Sequence, residues 1–476
     1  MSAKFTTGST MRHVVVMTAT ASIGLLSLFF VDAVNLFYIS LLGVTELAAA
    51  IGFAGTLQFF MISVSIGLLI AGTATVSRAL GADEDNKARQ YATSALITSI
   101  LALSMLSAIV WIFREEALGL LGAKGEALAL GSHFLSIALP SVPLVGAGMM
   151  CSGTLRAHGE ASQAMYVTLG GGVVAAVLDP IFIFALDLGL TGAAVAMTLT
   201  RGVIAAIGLW LVIHRHNMLA RPSLPHWLAD LPALTRIAAP AMATQLSTPF
   251  GMAYLTTTVA AHGDEAVAGW AVVGRMAALA FGGLFALAGA VGPIIGQNYG
   301  AKIWPRIRQT YLDALIFVAA YVVVAWGVLF LVADMIIDGF GLTGAGREVV
   351  QTFAVIGAGG YVFTGALFVS NAAFNNLNRP LWSTGFNWSR DALVIPVLAF
   401  LLADRLGPSA AVYIQALGGL VVGICAAMVG WRLTRKIADR AEDARPVTEA
   451  MPMPPLASGR AATAVTAPLE TRPKNR

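Results

Sequence analysis

Long apolar stretches broken by short polar connectors dominate the chain. The stretches cover approximately residues 13–42, 47–77, 90–113, 131–155, 163–186 and 190–213, and then 234–261, 266–297, 310–337, 349–375, 381–403 and 407–431. About 20 mainly apolar residues cross a bilayer as a helix. Barrel strands alternate apolar and polar positions over about ten residues. These runs are too long and too uniform for that, and lipid admits only helices or closed barrels. The pattern predicts an all-α membrane protein of about twelve transmembrane helices.

Composition agrees, since 57% of residues are hydrophobic and only 11% are charged. Soluble domains carry about 25% charged residues, so most of this surface is expected to face lipid. The net charge of +4 is small and sits mainly in connectors, which argues against nucleic acid as a partner. Cys151 and Cys425 lie in apolar runs and suggest neither a disulfide nor a metal site. The first apolar run is too long for a cleaved signal and is expected to be retained as a span.

Positive charge in the connectors sets the orientation. With the amino terminus inside, inner connectors and flanks hold seventeen Lys and Arg. The outer ones hold only Arg114, Lys124, Arg347 and Arg405. Both termini are therefore expected in the cytoplasm, with the protein in a bacterial inner membrane and monomeric. Residues 1–12 form an amino-terminal segment, 13–213 a first lobe, 214–233 a polar inter-lobe linker and 234–432 a second lobe. Residues 433–476, rich in proline and small residues, are expected to be a disordered tail.

The two halves resemble each other at a nearly constant spacing, the one that carries Gly81 onto Gly300. Gly81-Ala82 and Arg89-Gln90 correspond to Gly300-Ala301 and Arg308-Gln309, and Ala95-Leu96 to Ala314-Leu315. Gly43 to Ala48 similarly matches Gly263 to Ala268. An even number of spans per half keeps both halves in one orientation, so the repeats should be related by an axis along the membrane normal. The expected architecture is two pseudo-symmetric six-helix lobes.

Several segments carry a family resemblance. They include Asp32-Ala-Val-Asn35, Ser77 to Ala82, Leu155-Arg-Ala-His-Gly159, Leu178-Asp-Pro-Ile-Phe-Ile183, Gly192 to Ala196 and Gly296-Gln-Asn-Tyr-Gly-Ala301. Over residues 13–431 the chain resembles the multidrug and toxic compound extrusion (MATE) family, and within it the bacterial DNA-damage-inducible-F-like branch. The resemblance implies two six-helix lobes and export of cationic or amphipathic small molecules in exchange for protons or sodium.

Asp32 lies inside the first span, where an ionisable group costs several kcal/mol and marks function by default. The family's coupling carboxylate sits there. Asp179, followed by Pro180, offers a second carboxylate at a helix bend, and two nearby carboxyls titrate as a coupled unit. Asn35 shares a helix face with Asp32, and Thr198 falls where the family places a hydroxyl. Ala175 replaces an asparagine usual in the family. An amide oxygen is a natural sodium ligand, so the change favours protons, while sodium at Asp32 and Asp179 stays open.

The second lobe is poorer in acids. Gln245 stands where another branch has Glu, and Asn371 and Asn375 stand without an Asp nearby. Arg390 and Asp391 lie mid-span, about 100° apart on an α-helix, and need not pair. Arg201 and Arg275 read as structural pairing or snorkelling. Phe37, Tyr38, Met252 and Phe281 are candidate lining of a substrate cavity. No Gly-x-x-x-x-Gly-Lys-Ser/Thr loop is present, so no ATP hydrolysis is expected, and no cofactor or enzymatic site is expected. Three rivals remain open: a lipid-linked substrate flippase of related fold, a major-facilitator transporter, and a membrane-embedded enzyme.

Overall fold

The computed structural model describes the backbone of residues 3–40 and 45–443 and the side chains of residues 3–27, 47 and 49–439. The architecture is helical, with no strand among the described residues. Twelve rods follow one another. They are α1 (Thr10–Ser40), α2 (Thr45–Gly81), α3 (Asp85–Ile112), α4 (Gly125–Ala157), α5 (Ala161–Ala185) and α6 (Gly189–Arg215). Then come α7 (Leu224–Ala260), α8 (Asp264–Gly300), α9 (Trp304–Gly339), α10 (Gly344–Gly357 with Tyr361–Asn376), α11 (380–406) and α12 (Ala410–Asp443).

The repeat seen in the sequence reappears in the backbone at the same offset. Helices begin at Thr45 and Asp264, Asp85 and Trp304, Gly125 and Gly344, and Ala161 and Pro380. The left-handed turn residues pair likewise: Asp83 with Lys302, Gly122 with Gly341, Gly125 with Gly344, Gly159 with Asn378. Even the helix breaks match. α4 is interrupted at Leu139–Ser141, and α10 bends by 61° across residues 358–360. Gly43, one end of a sequence match, lies outside the described residues.

Each lobe has an apolar core of its own, but the first helix of each lobe is rooted in the other. Phe5, Val14 and Met17, at the start of α1, belong to the core of the second lobe. Leu234, Ile237 and Ala238, at the start of α7, belong to the core of the first lobe. Farther along, α1 packs on α5, and α7 packs on α11.

Two expected boundaries move. α7 starts at Leu224, well inside the expected linker. Ser223 precedes it and Pro225 sits in its first turn, where a missing N–H costs nothing. The one acid of that segment, Asp230, is buried and paired: Lys87 Nζ donates to it at 2.7 Å, and Gln90 and Ser94 donate as well. At the other end, α12 continues to Asp443, so residues 433–443 are helical. The rest of the tail lies outside the described residues.

The lobes meet tightly at the end where the described residues begin and end. A methyl group at Gly81 would overlap the Gln297 carbonyl, and one at Gly300 the Arg78 carbonyl. Toward the opposite end the same helices carry exposed residues. Gly52, Gly55 and Thr56 on α2, Met252 and Thr256 on α7, and Gly274 and Arg275 on α8 are all exposed. Methyl groups at Gly52, Gly55 and Gly274 would meet nothing.

Candidate functional site

Of the sequence-predicted ionic site, Asp32 and Asn35 lie on α1, Asp179 on α5 and Thr198 on α6. Asp32, Asn35, Phe37 and Tyr38 all lie on α1, and their side chains lie outside the described residues. Asp179 is 3% exposed in the last α-helical turn of α5. The two helices run in the same direction and touch at Gly24, where a methyl would overlap the Thr168 hydroxyl. At about 1.5 Å per residue, Asp32 lies about 12 Å beyond that crossing and Asp179 about 16 Å. The two carboxyl-bearing positions therefore stand within about one helical turn of the same depth. Pro180 ends the α-helical ladder, and the chain continues as the π-helical turn Ile181–Ala185. Such turns open the backbone and recur at functional positions.

Thr198 sits on α6, facing the break in α4. Its hydroxyl donates to Ala194 O at 2.9 Å and approaches Ile137 O at 3.3 Å. One turn on, Arg201 Nη1 donates to Ala138 O at 3.1 Å and to Ser141 Oγ at 2.9 Å, and Nη2 donates to Gln58 Oε1. Ser107 donates to Leu139 O, and Trp111 Nε1 to Ser136 O at 3.0 Å. Helix ends leave carbonyls without partners, and these four side chains supply donors for the break. Arg201 thus has the structural role its sequence context suggested, and it walls a small niche with Gln58, Ser65 and Val145.

In the second lobe, Asn371 and Asn375 join a polar ladder. Asn387 Nδ2 donates to Asn371 Oδ1 at 3.0 Å, and Ser383 Oγ to Asn375 Oδ1 at 3.2 Å. Next to this ladder Arg390 and Asp391 do pair, contrary to the α-helical expectation. Nε donates to Oδ1 at 2.7 Å and Nη2 to Oδ2 at 3.0 Å. The segment Ser389–Val394 is a π-helical turn, which brings neighbouring side chains closer in angle than an α-turn, and the long Arg side chain folds back. Asp391 is 2% exposed and packs on Gly251 of α7. A charge buried so deeply is tolerated only when paired.

Phe281 is a correction. It is fully buried and stacks on Tyr361 with centroids 4.0 Å apart, so it belongs to the core of the second lobe. Met252 is exposed and Gln245 half-buried on α7. Arg275 is exposed on α8. Sequence reasoning missed the Arg390–Asp391 pairing, the burial of Asp230 and the contacts of residues 4–8. The internal repeat was the available signal for the terminal-end contacts, because its offset superposes Arg78 on Gln297.

Twelve spans in two like halves, with carboxyls and guanidiniums at membrane depth, define a membrane transporter fold. The profile of the MatE family matches residues 19–181 and 240–401, and the chain belongs to that family. It is 26% identical over 422 residues to a FAD transporter of Shewanella oneidensis, spanning 87% of this chain and 93% of that protein. It is also 26% identical over 430 residues to the multidrug export protein MepA of Staphylococcus aureus, spanning 81% and 92%. Among solved structures, the Vibrio cholerae MATE transporter VcmN in the bent form superposes with a TM-score of 0.83 at 26% identity. The match covers 90% of this chain and 98% of that one. The chain is thus a MATE-type efflux transporter and not an enzyme.

Proposed function

We propose that the protein is a proton-driven antiporter that exports amphipathic small molecules, cationic ones among them, by alternating access. It sits in a bacterial inner membrane with the closed, terminal end in the cytoplasm. One observation carries this reading: the carboxyl of Asp179 is held almost wholly out of solvent on a helix packed along α1, at nearly the depth of Asp32. An ionisable group at membrane depth is costly and marks function by default. Proton entry from the open side neutralises the pair and weakens its hold on a cationic substrate. Release of the proton to the inside resets the site. Asn35 lies one turn from Asp32 on α1, while Thr198 bonds at the break in α4. The alanine at 175 favours protons over sodium, since an amide ligand is missing.

The proton gradient is a sufficient fuel. At about 150 mV one proton supplies about 3.5 kcal/mol, enough for a gradient of a few hundredfold. The test is efflux from proteoliposomes under separately imposed pH and sodium gradients, comparing wild type with Asp32→Asn and Asp179→Asn. Efflux driven by the pH gradient alone, and lost in Asp32→Asn, supports the reading. Efflux driven only by sodium, or equal in wild type and Asp32→Asn, overturns it.

A second substrate class has support of its own. Arg275 is exposed on α8, and the Shewanella oneidensis relative is a FAD transporter. A guanidinium suits a phosphate-bearing group, so flavin nucleotides belong in the same efflux assay beside cationic dyes.

A further inference from the structure

The closed end is held by a reciprocal pair of contacts and by one contact that has no counterpart. On α2, Arg78 donates from Nε to Asn376 O at 3.1 Å, from Nη2 to Asn375 O at 2.7 Å and from Nη1 to Asn378 Oδ1 at 2.7 Å. On α8, at the position the repeat makes equivalent to Arg78, Gln297 Nε2 donates to Ala157 O at 2.7 Å. Ala157 and Asn376 are themselves equivalent positions of the repeat. Each lobe therefore reaches across to the same backbone position of the other, as in a self-complementary two-fold interface.

The segment Lys4–Gly8 breaks this symmetry. It lies across the seam beside Gln297. The Phe5 N–H donates to Gln297 Oε1 at 2.9 Å, and Phe5 O accepts from Asn298 Nδ2 at 3.1 Å and Arg306 Nη2 at 2.8 Å. Arg306 Nη1 also donates to Gly8 O at 2.8 Å, and Thr10 to the Asp313 carboxylate. All of these partners belong to the second lobe. Toward the first lobe the segment has an ion pair, Lys4 Nζ to Glu160 Oε1 at 2.6 Å, and the Phe5 ring against Gly159. That ion pair is solvent-accessible on both sides, and exposed pairs contribute little.

We infer that Lys4–Gly8 is a tongue carried by the second lobe, which locks the inner end by docking on Gly159–Glu160, with Arg78 and Gln297 as the positioning residues of that gate. The inference rests on the alternating-access reading. The lobes cannot part at this end while the tongue is bonded to both. The weaker set of bonds, toward the first lobe, is the set that must break.

The test uses the full chain with Cys151→Ala and Cys425→Ala. One variant carries Lys4→Cys with Glu160→Cys, another Thr10→Cys with Asp313→Cys, each joined by a short bifunctional thiol reagent that reductant cleaves. In proteoliposomes the 4–160 link should lower substrate efflux at least tenfold, with recovery on reduction. The 10–313 link should leave efflux at the unlinked rate. Undiminished efflux with the 4–160 link overturns the inference, and so does loss with the 10–313 link. A readout that needs no substrate separates this from failure of the transport reading. Ser77→Cys is buried at the seam and should be labelled by a soluble maleimide at least tenfold faster when residues 2–8 are removed. Equal labelling with and without them also overturns the inference.

Discussion

His158 shows how one side chain ties the closed end to pH. It sits in the turn between α4 and α5, 6% exposed, beside the glycine that meets Phe5. Its Nδ1 lies 2.8 Å from the Thr154 carbonyl, which can only accept, so Nδ1 carries the hydrogen. Nε2 is buried without a partner. Burial pushes the imidazole down to about 4. The Thr154 contact and the Asp85 and Glu160 charges oppose that shift, and His216 adds to it. The unfolded chain takes up its proton near pH 6.5 and the folded one only near 4. Stability from this residue is thus present above about pH 6.5 and is lost as pH falls through that window, by up to about 3 kcal/mol. Melting of purified protein at pH 7.5 and pH 5 should show a drop that shrinks in His158→Phe. An unchanged drop would assign the acid sensitivity to other groups. Phe281 gives a second test at this scale. Phe281→Ala should destabilise by about 3–5 kcal/mol in a melting assay, while the KM for efflux of any given substrate stays at the wild-type value. A selective rise in KM would return Phe281 to the cavity wall.

Among the elements, the broken helices do the most to shape the molecule. α4 stops at Leu139–Ser141 because Pro140 and Pro143 lack N–H donors, and α6 supplies substitutes through Thr198 and Arg201. Arg201→Ala should strand Gln58 Oε1, while Ala138 O keeps the Ser141 hydroxyl, costing about 1–3 kcal/mol. Arg201→Lys should recover only part of this, because one ammonium cannot span acceptors arranged for a fork. Melting of the two variants in detergent checks the order; equal stability of Arg201→Ala and wild type would remove Arg201 as the cap of the break. Helix positions were readable in the sequence because a span must be apolar over its whole length, so each run announced a rod. The breaks were not readable to the same degree. Pro180 pointed to a bend, but Pro396, just past the π-helical turn at Ser389–Val394, was not read as a break, and α7 and α12 pack around that turn. The same limit hid the Arg390–Asp391 pair, since a sequence read at about 100° per residue sends those side chains apart. The burial of Asp179 was legible, because the acid sits inside an apolar run.

Across the whole molecule, each lobe's leading helix is rooted in the other lobe, and this fixes how the halves can move. The root of α7 is held on the first lobe by Asp230 with Lys87, Gln90 and Ser94, by Trp227 Nε1 donating to Thr98 Oγ1 at 2.9 Å, and by Met242 against Gly67. From Pro240 onward, partners in the second lobe join these. Thr384 Oγ1 donates to Pro240 O at 2.8 Å, Trp388 Nε1 donates to Ala243 O at 2.8 Å, and Gly251 lies against Asp391, all in the second lobe. Pro240 and Pro249 each remove a backbone donor from the ladder within this stretch. A rigid rod fastened to both lobes would forbid rocking, so α7 must flex between its two sets of partners, near these prolines. Spin labels on exposed residues can read this. A label at Leu228 should keep its distance to one at Met105 on α3 when substrate or a pH gradient drives the transporter. Its distance to one at Met335 on α9 should change by several ångströms. If instead the 228–335 distance is constant and the 228–105 distance changes, the root of α7 travels with the second lobe, and Asp230 is an ornament of the resting state rather than an anchor of the moving one.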